Sequence, residues 1–100
     1  MISLEQKVRK ALTKVLDPEL NANIVDLGLI YDVREEAGEV EIEMTLTGPG
    51  CPLAGVINER IREAVESIKG VNRVIIEIVW DPPWTVEMMS EEIRAELGLD

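Results

Sequence analysis

The chain's single cysteine, Cys51, lies in the run MTLTGPGCP (residues 44–52), between a predicted strand and a predicted helix. A thiol at the start of a helix faces the positive end of the helix dipole and backbone N–H groups that lack intrahelical partners. Both favour the thiolate, the form that attacks electrophiles and binds soft metals. Pro52 fits the first helical position, because the N–H that proline lacks would have no partner there. The sequence therefore predicts that Cys51 lies at or next to the N-cap, with a lowered thiol pKa.

The chain contains no histidine. The usual base of a Cys–His nucleophilic pair is therefore missing, and no glycine-rich phosphate loop is present. These two features disfavour an independent cysteine-dependent enzyme and favour the handling of metal by a thiolate.

Two sets of oxygen-bearing side chains are predicted near Cys51. Thr45 and Thr47 share one face of the strand that precedes it, where their hydroxyls would support a thiolate or sulfide. The alternative is that they only occupy the polar face of the sheet, since threonine is a good strand former. Asp17 and Glu19 lie in a loop after a helix. If this loop approaches Cys51, their carboxylates would act there as hard metal ligands or proton acceptors. Alternatively, Asp17 ends the helix before Pro18, and Glu19 bonds local backbone N–H groups.

Composition predicts one globular domain over residues 1–100, since 46% of the 100 residues are apolar and the rest carry charge of both signs. The net charge is −10, with +3 in residues 1–16 and −13 in the remainder. This balance disfavours nucleic-acid binding. No apolar run suggests a signal peptide or a membrane span, and one cysteine forms no disulfide within the chain, so we expect a cytoplasmic protein. The basic first helix is either a solvated face or a docking surface for an acidic partner.

The pattern predicts an α+β fold in the order αββαβα, with helices packed on one face of a small mixed three-stranded sheet. A capping box at Ser3 starts the first helix, which ends near Leu16, and Gly28 needs a backbone conformation that other residues resist. The predicted later elements are strands over 29–34, 40–47 and 74–80, a hairpin turn over 36–39, and helices over 52–69 and 85–97. Val56 is predicted to face the core, and Asp26 to bond the turn at Gly28. Trp80 and Trp84 are predicted to pack against the last helix, whereas Met88 and Met89, being adjacent, face different directions and suggest a partner surface.

Three segments together resemble the metal–sulfur cluster biosynthesis family, which includes SufT-like and PaaD-like proteins. They are the sequences DPEL with NIVDLGLIY (residues 17–20 and 23–31), TLTGPGCPLA (45–54), and WDPPWT with EMMS (80–85 and 87–90). The resemblance spans essentially the whole chain in the same order.

This resemblance implies an accessory or targeting factor for iron–sulfur cluster assembly, working with assembly machinery and client apoproteins and not as an established catalyst. It carries the family's reactive cysteine over to Cys51 and its supporting positions to Asp17, Glu19, Leu20, Thr45 and Thr47. Gly48 stands where some members have a second hydroxyl. No stably bound cofactor is expected, because clusters typically take four ligands and this chain offers one thiol. Contact with iron or a cluster would be transient, through a client, a small thiol or a homodimer that pairs Cys51. The alternative is an interaction module that recruits clients, with Cys51 structural.

Overall fold

The computed structural model describes residues 2–47 and 54–99 and confirms the predicted α+β order. The elements are α1 (Leu4–Leu12), β1 (Ile30–Glu36), β2 (Glu39–Met44), α2 (Ala54–Glu66), β3 (Arg73–Ile78), a 3-10 turn (Val86–Met88) and α3 (Glu91–Glu96).

The predicted capping box starts α1. The Ser3 hydroxyl accepts a bond from the Gln6 N–H at 3.1 Å, and the Gln6 side chain accepts from the Ser3 N–H at 2.9 Å. The α-helix ends at Leu12, four residues earlier than predicted. Its last turn tightens into shorter-range bonds, the last of which joins the Val15 N–H to the Leu12 carbonyl at 3.1 Å.

The sheet is mixed, as predicted, with β2 between an antiparallel β1 and a parallel β3. Ala37 and Gly38 form the predicted hairpin turn, both with positive φ (51° and 86°), as the two central residues of a type I′ turn require. The hairpin and the α2 crossover together align the carboxyl ends of β2 and β3 at one edge of the sheet.

One face of the sheet is covered by α1 and α2, and the other is polar. Val40, Ile42 and Met44 of β2 are buried on the covered face. The register places on the open face Arg34, Arg73 and the acidic residues Asp32, Glu36, Glu39, Glu41, Glu43 and Glu77. Arg34 pairs there with Glu41 at 2.6 Å. The predicted polar face is therefore observed, and it keeps an excess of negative charge.

The bounds and the buried stripe of α2 differ from the prediction. The helix ends at Glu66, before Lys69, and Gly70 follows a further turn with φ +104°. Ile57, Ile61 and Val65 form the buried stripe at a spacing of four. Val56 is 38% exposed, so its predicted core position is wrong. One residue of helix rotates a side chain by about 100°, which turns Val56 away from the face that Ile57 buries.

The predicted continuous helix over 85–97 is wrong. The 3-10 turn gives way to extended backbone at Met89 (φ −69°, ψ 149°), and Ser90 starts a new helix by accepting a bond from the Ile93 N–H at 3.3 Å. The Ser90 N–H donates to the Asp26 carbonyl at 2.8 Å. This tertiary bond and the serine cap together favour a break over a continuous helix. The chain leaves α3 through Gly98, at φ +73°, where the prediction ended the helix.

Candidate functional site

The segment that carries Cys51 joins the end of β2 to the start of α2. Cys51 and Pro52 lie outside the described residues, whose nearest members are Thr47 and Ala54. The helix-start position of Cys51 and the role of Pro52 therefore stay predictions, and the site is built here from the surroundings of that segment.

Thr45 lies just beyond the last paired residue of β2, and its side chain is fully buried. The sequence predicted it on the polar face beside Thr47. Instead, Met44, Thr45 and Leu46 are buried in succession, because the chain is covered on both sides where the strand ends. The Thr45 N–H donates to the Leu29 carbonyl at 2.8 Å, so the segment before β1 lies against it. Thr47 is exposed, as a residue on the polar face would be.

The Thr45 hydroxyl is buried without a hydrogen-bond partner among the described residues. A buried hydroxyl in that state costs about 1–3 kcal/mol relative to a bonded one. Such groups are rare in folded proteins and often have a functional reason. The hydroxyl keeps its full capacity to donate or accept a bond, two residues before Thr47 and the cysteine segment.

The first described turn of α2 is uncharged and open. It carries no acidic residue, and a Cβ added at Gly55 would meet no atom within 4 Å. Acidic side chains commonly occupy the first turn because they offset the positive end of the helix dipole. The first described turn of α2 carries no negative charge of this kind. It therefore adds no repulsion that would disfavour a thiolate at the preceding residues.

The acidic turn predicted as part of the site is a tightly bonded local structure. Asp17 is 6% exposed, and its Oδ1 accepts bonds from the Glu19 N–H at 2.8 Å and the Leu20 N–H at 3.0 Å. The Asp17 N–H donates to the Ala22 carbonyl at 2.9 Å. The local backbone bonds that the sequence analysis offered for Glu19 are therefore made by Asp17, whereas Glu19 is exposed.

Arg60 joins the acidic turn to α2, an arrangement that the sequence analysis did not anticipate. Its Nη1 donates to the Leu16 carbonyl at 2.9 Å, one residue before Asp17. Arg60 lies six residues after Ala54, or about 9 Å along the helix axis. The acidic turn is therefore attached to the middle of the helix that follows the cysteine segment. Nothing in the pattern of α2 distinguished this arginine from a solvated one.

The two tryptophans, predicted as packing residues, have different environments. Trp84 is half-buried against the core, and its Nε1 donates to the Leu27 carbonyl at 2.8 Å, whereas its predicted packing against the last helix stays a prediction. Trp80 is 47% exposed, so a packing role for it is wrong. The alternation of β3 ends at Ile78 and no longer directs Trp80 inward. The Val79 N–H donates to the Met44 carbonyl at 2.8 Å, so Trp80 lies at the sheet edge where the cysteine segment begins.

The segment after Trp84 closes over the loop before β1. Gly28, with φ +78° as predicted, lies so close to Met88 that an added Cβ would come within 2.8 Å of the Met88 carbonyl carbon. Met88 is half-buried beneath the Tyr31 hydroxyl, at 3.6 Å from its sulfur, and Met89 is buried. Met89 therefore does not contribute to the predicted partner surface, which for Met88 stays a prediction. The Asp26 carboxylate accepts from the Asn23 side chain at 2.7 Å, whereas the predicted bond was to the turn at Gly28.

Within residues 2–47 and 54–99, no three Cys, Asp or Glu side chains are placed to hold a metal ion together. In the same part of the chain, no helix has the length and apolar character needed to cross a bilayer.

Comparison with known proteins identifies close relatives. The family profile described as iron–sulfur cluster assembly protein matches residues 5–78. An Fe-S protein maturation auxiliary factor of Porphyromonas gingivalis is 47% identical over 98 residues, covering 97% of this chain and 93% of the relative. The factor SufT of Staphylococcus aureus is 40% identical over 86 residues, covering 85% of this chain and 98% of the relative.

A solved structure is similar over nearly the whole chain. The crystal structure of a domain of unknown function, DUF59, from Bacillus anthracis superposes with a TM-score of 0.90 at 39% identity, covering 97% of this chain and 93% of that one. The resemblance that the three sequence segments indicated is confirmed by the profile and by both relatives. The chain belongs to the iron–sulfur cluster assembly family.

Proposed function

We propose that this protein is an accessory factor for the maturation of iron–sulfur proteins, in which the Cys51 thiolate contacts iron, sulfide or a client protein. The family match carries the pathway, because its profile covers residues 5–78 and so includes the chain's only thiol. Relatives that match nearly end to end are named as maturation auxiliary factors. The protein would act in the cytoplasm on client apoproteins, together with the assembly machinery.

The described surroundings of the cysteine segment support a role for the thiolate. On one side lies the buried hydroxyl of Thr45, for which the described part of the chain supplies no hydrogen-bond partner; on the other lies the uncharged first described turn of α2. A hydroxyl donor and helix-start amides both stabilise negative charge on sulfur. Thr47 would supply a second, exposed hydroxyl. Asp17 would shape the acidic turn without ligating metal, because its Oδ1 is occupied by two backbone N–H groups.

Anaerobic reconstitution with iron and sulfide, alone and with an apo-ferredoxin as client, tests the thiol. Cys51→Ala should abolish the transfer of cluster to the client and lower any iron retained by the protein. Glu96→Gln, which alters an exposed carboxylate on α3 outside the candidate site, should leave transfer within about twofold, as surface changes usually do. Equal transfer by Cys51→Ala and the native protein would remove the thiol from the mechanism.

The alternative function is client recruitment with a structural cysteine. It predicts that Cys51→Ala retains both client capture and maturation in cells. A variant that binds its client but fails to mature it would instead assign chemistry to the thiol.

A further inference from the structure

We propose that a groove between α1 and the segment before β1 binds an acidic partner segment through one aliphatic side chain. The α1 groove, as defined here, has a volume of about 270 Å³ and is lined by Arg9, Lys10, Leu12, Thr13, Val25 and Ile30. The α1 groove includes none of the residues assigned to the candidate site, so this proposal can be tested independently of Cys51.

The interior of the α1 groove is mainly apolar. Val25, which is 37% exposed, and the partly buried Ile30 supply aliphatic surface, and the fully buried Leu12 lies behind them. The Thr13 hydroxyl is engaged by the Lys10 carbonyl at 2.6 Å, which leaves its methyl group to line the groove. Small-molecule sites usually enclose about 300–1,000 Å³. A smaller groove with this lining fits a side chain of a docked segment better than a free metabolite.

The rim of the α1 groove is basic in a chain whose remaining surface is acidic. Arg9 is held by contacts with Glu5 and Asp32 at 3.4 and 3.8 Å. Lys10 is exposed, and so is Lys7 three residues earlier on the same helix face; neither forms an ion pair with any described residue. The rim therefore presents uncompensated positive charge next to apolar surface.

The charge distribution of the chain favours an occupant with negative charge. Residues 1–16 carry +3, and the rest of the chain carries −13. At physiological salt, charges more than about 8 Å apart are largely screened. An acidic segment in the α1 groove is therefore attracted mainly by the rim lysines, since Asp32 of the open face, which lies next to the rim, is paired with Arg9 at 3.8 Å. A basic partner would favour the open sheet face instead.

A fluorescein-labelled peptide of Glu and Asp around a central Leu is the probe. Anisotropy should show saturable binding that weakens with added NaCl and with replacement of the central Leu by Ser. Lys10→Glu should weaken binding about fivefold to tenfold, and Lys10→Gln about threefold, because a lost or reversed exposed ion pair has effects of this size. Lys69→Glu makes the same charge change beyond α2 and should alter binding less than twofold.

A second pair of variants tests the apolar contact in the α1 groove. Val25→Ser should weaken binding about threefold to fivefold, in proportion to the aliphatic area lost. Val56→Ser replaces a valine of equal exposure outside the groove and should leave binding unchanged. Circular dichroism melts verify that each variant folds.

Several outcomes would overturn the proposal. One is that Lys10→Glu and Lys69→Glu weaken peptide binding equally, and another is that a Lys-rich peptide binds as tightly as the acidic one. A third is that the protein self-associates and Lys10→Glu abolishes this association, which would make a second copy the occupant of the α1 groove. Cys51→Ala should bind the peptide normally. A peptide titration that shows no binding would refute the α1 groove as a docking site. It would not affect the proposed role in cluster transfer, which is measured separately.

Discussion

The Thr45 hydroxyl is completely buried and has no hydrogen-bond partner within residues 2–47 and 54–99, so its removal should stabilise the fold. Thr45→Val keeps the side-chain shape and eliminates the unsatisfied group. We expect the free energy of unfolding in urea to rise by about 1 kcal/mol, while cluster transfer to a client falls. Thr47→Val, at an exposed position, should change stability by less than about 0.5 kcal/mol. A loss of stability in Thr45→Val would mean that the hydroxyl is bonded in solution.

The electrostatic argument about Cys51 can be tested at Gly55, where an added side chain meets open space. The thiol pKa, measured from the pH dependence of alkylation, should lie below the ordinary value of about 8.5. Gly55→Glu places negative charge in the first described turn of α2 and should raise that pKa by about 0.2–0.7 units.

Gly55→Gln is the uncharged control for this measurement, because it has the same shape and should leave the thiol pKa nearly unchanged. Identical shifts in the two variants would refute the dipole argument. A native thiol pKa above 8.5 would instead support a buried, inert cysteine.

At the scale of secondary-structure elements, the loop at Gly28 approaches the backbone at Met88 too closely for any side chain at position 28. Gly28→Ala combines an unfavourable positive φ with a clash against backbone. We expect a loss of about 2–4 kcal/mol in the free energy of unfolding, since the φ penalty alone is about 1–2 kcal/mol.

Gly98→Ala separates the φ penalty from the steric clash, because Gly98 has φ +73° and an added Cβ there meets nothing within 4 Å. It should lose only the φ term, about 1–2 kcal/mol. Losses of equal size at Gly28 and Gly98 would show that the segment after Trp84 yields and that the close approach is not a constraint.

The elements that the sequence predicted well are those set by local periodicity. The alternation of Val40, Ile42 and Met44 determined β2, and the Ser3 cap determined the start of α1. The errors arose where periodic order stops: Thr45 and Trp80 follow the last paired residues of their strands, and tertiary packing decides their burial there. The break at Ser90 depends on a bond to Asp26, which no local pattern contains. The family resemblance, by contrast, depended on motifs and was confirmed by the profile.

For the whole molecule, the number of thiols limits how a cluster is held. The chain has one cysteine and no histidine, whereas a cluster typically takes four ligands. A net charge of −10 opposes association of two apo chains. We therefore infer that pairing of two copies, if a cluster drives it, depends on both the cluster and Cys51.

Native mass spectrometry after anaerobic reconstitution with a small thiol tests this stoichiometry. The apo protein should be a monomer, and the loaded protein should include two chains per cluster, with the small thiol completing the ligand set. Cys51→Ser should remain monomeric and free of cluster, because a serine hydroxyl is a much weaker ligand for iron than a thiolate. Raising the NaCl concentration should favour the loaded dimer by screening repulsion between the two acidic chains. A cluster bound to one chain, or a dimer that persists in Cys51→Ser, would contradict a thiol-bridged pair and place the interface elsewhere on the molecule.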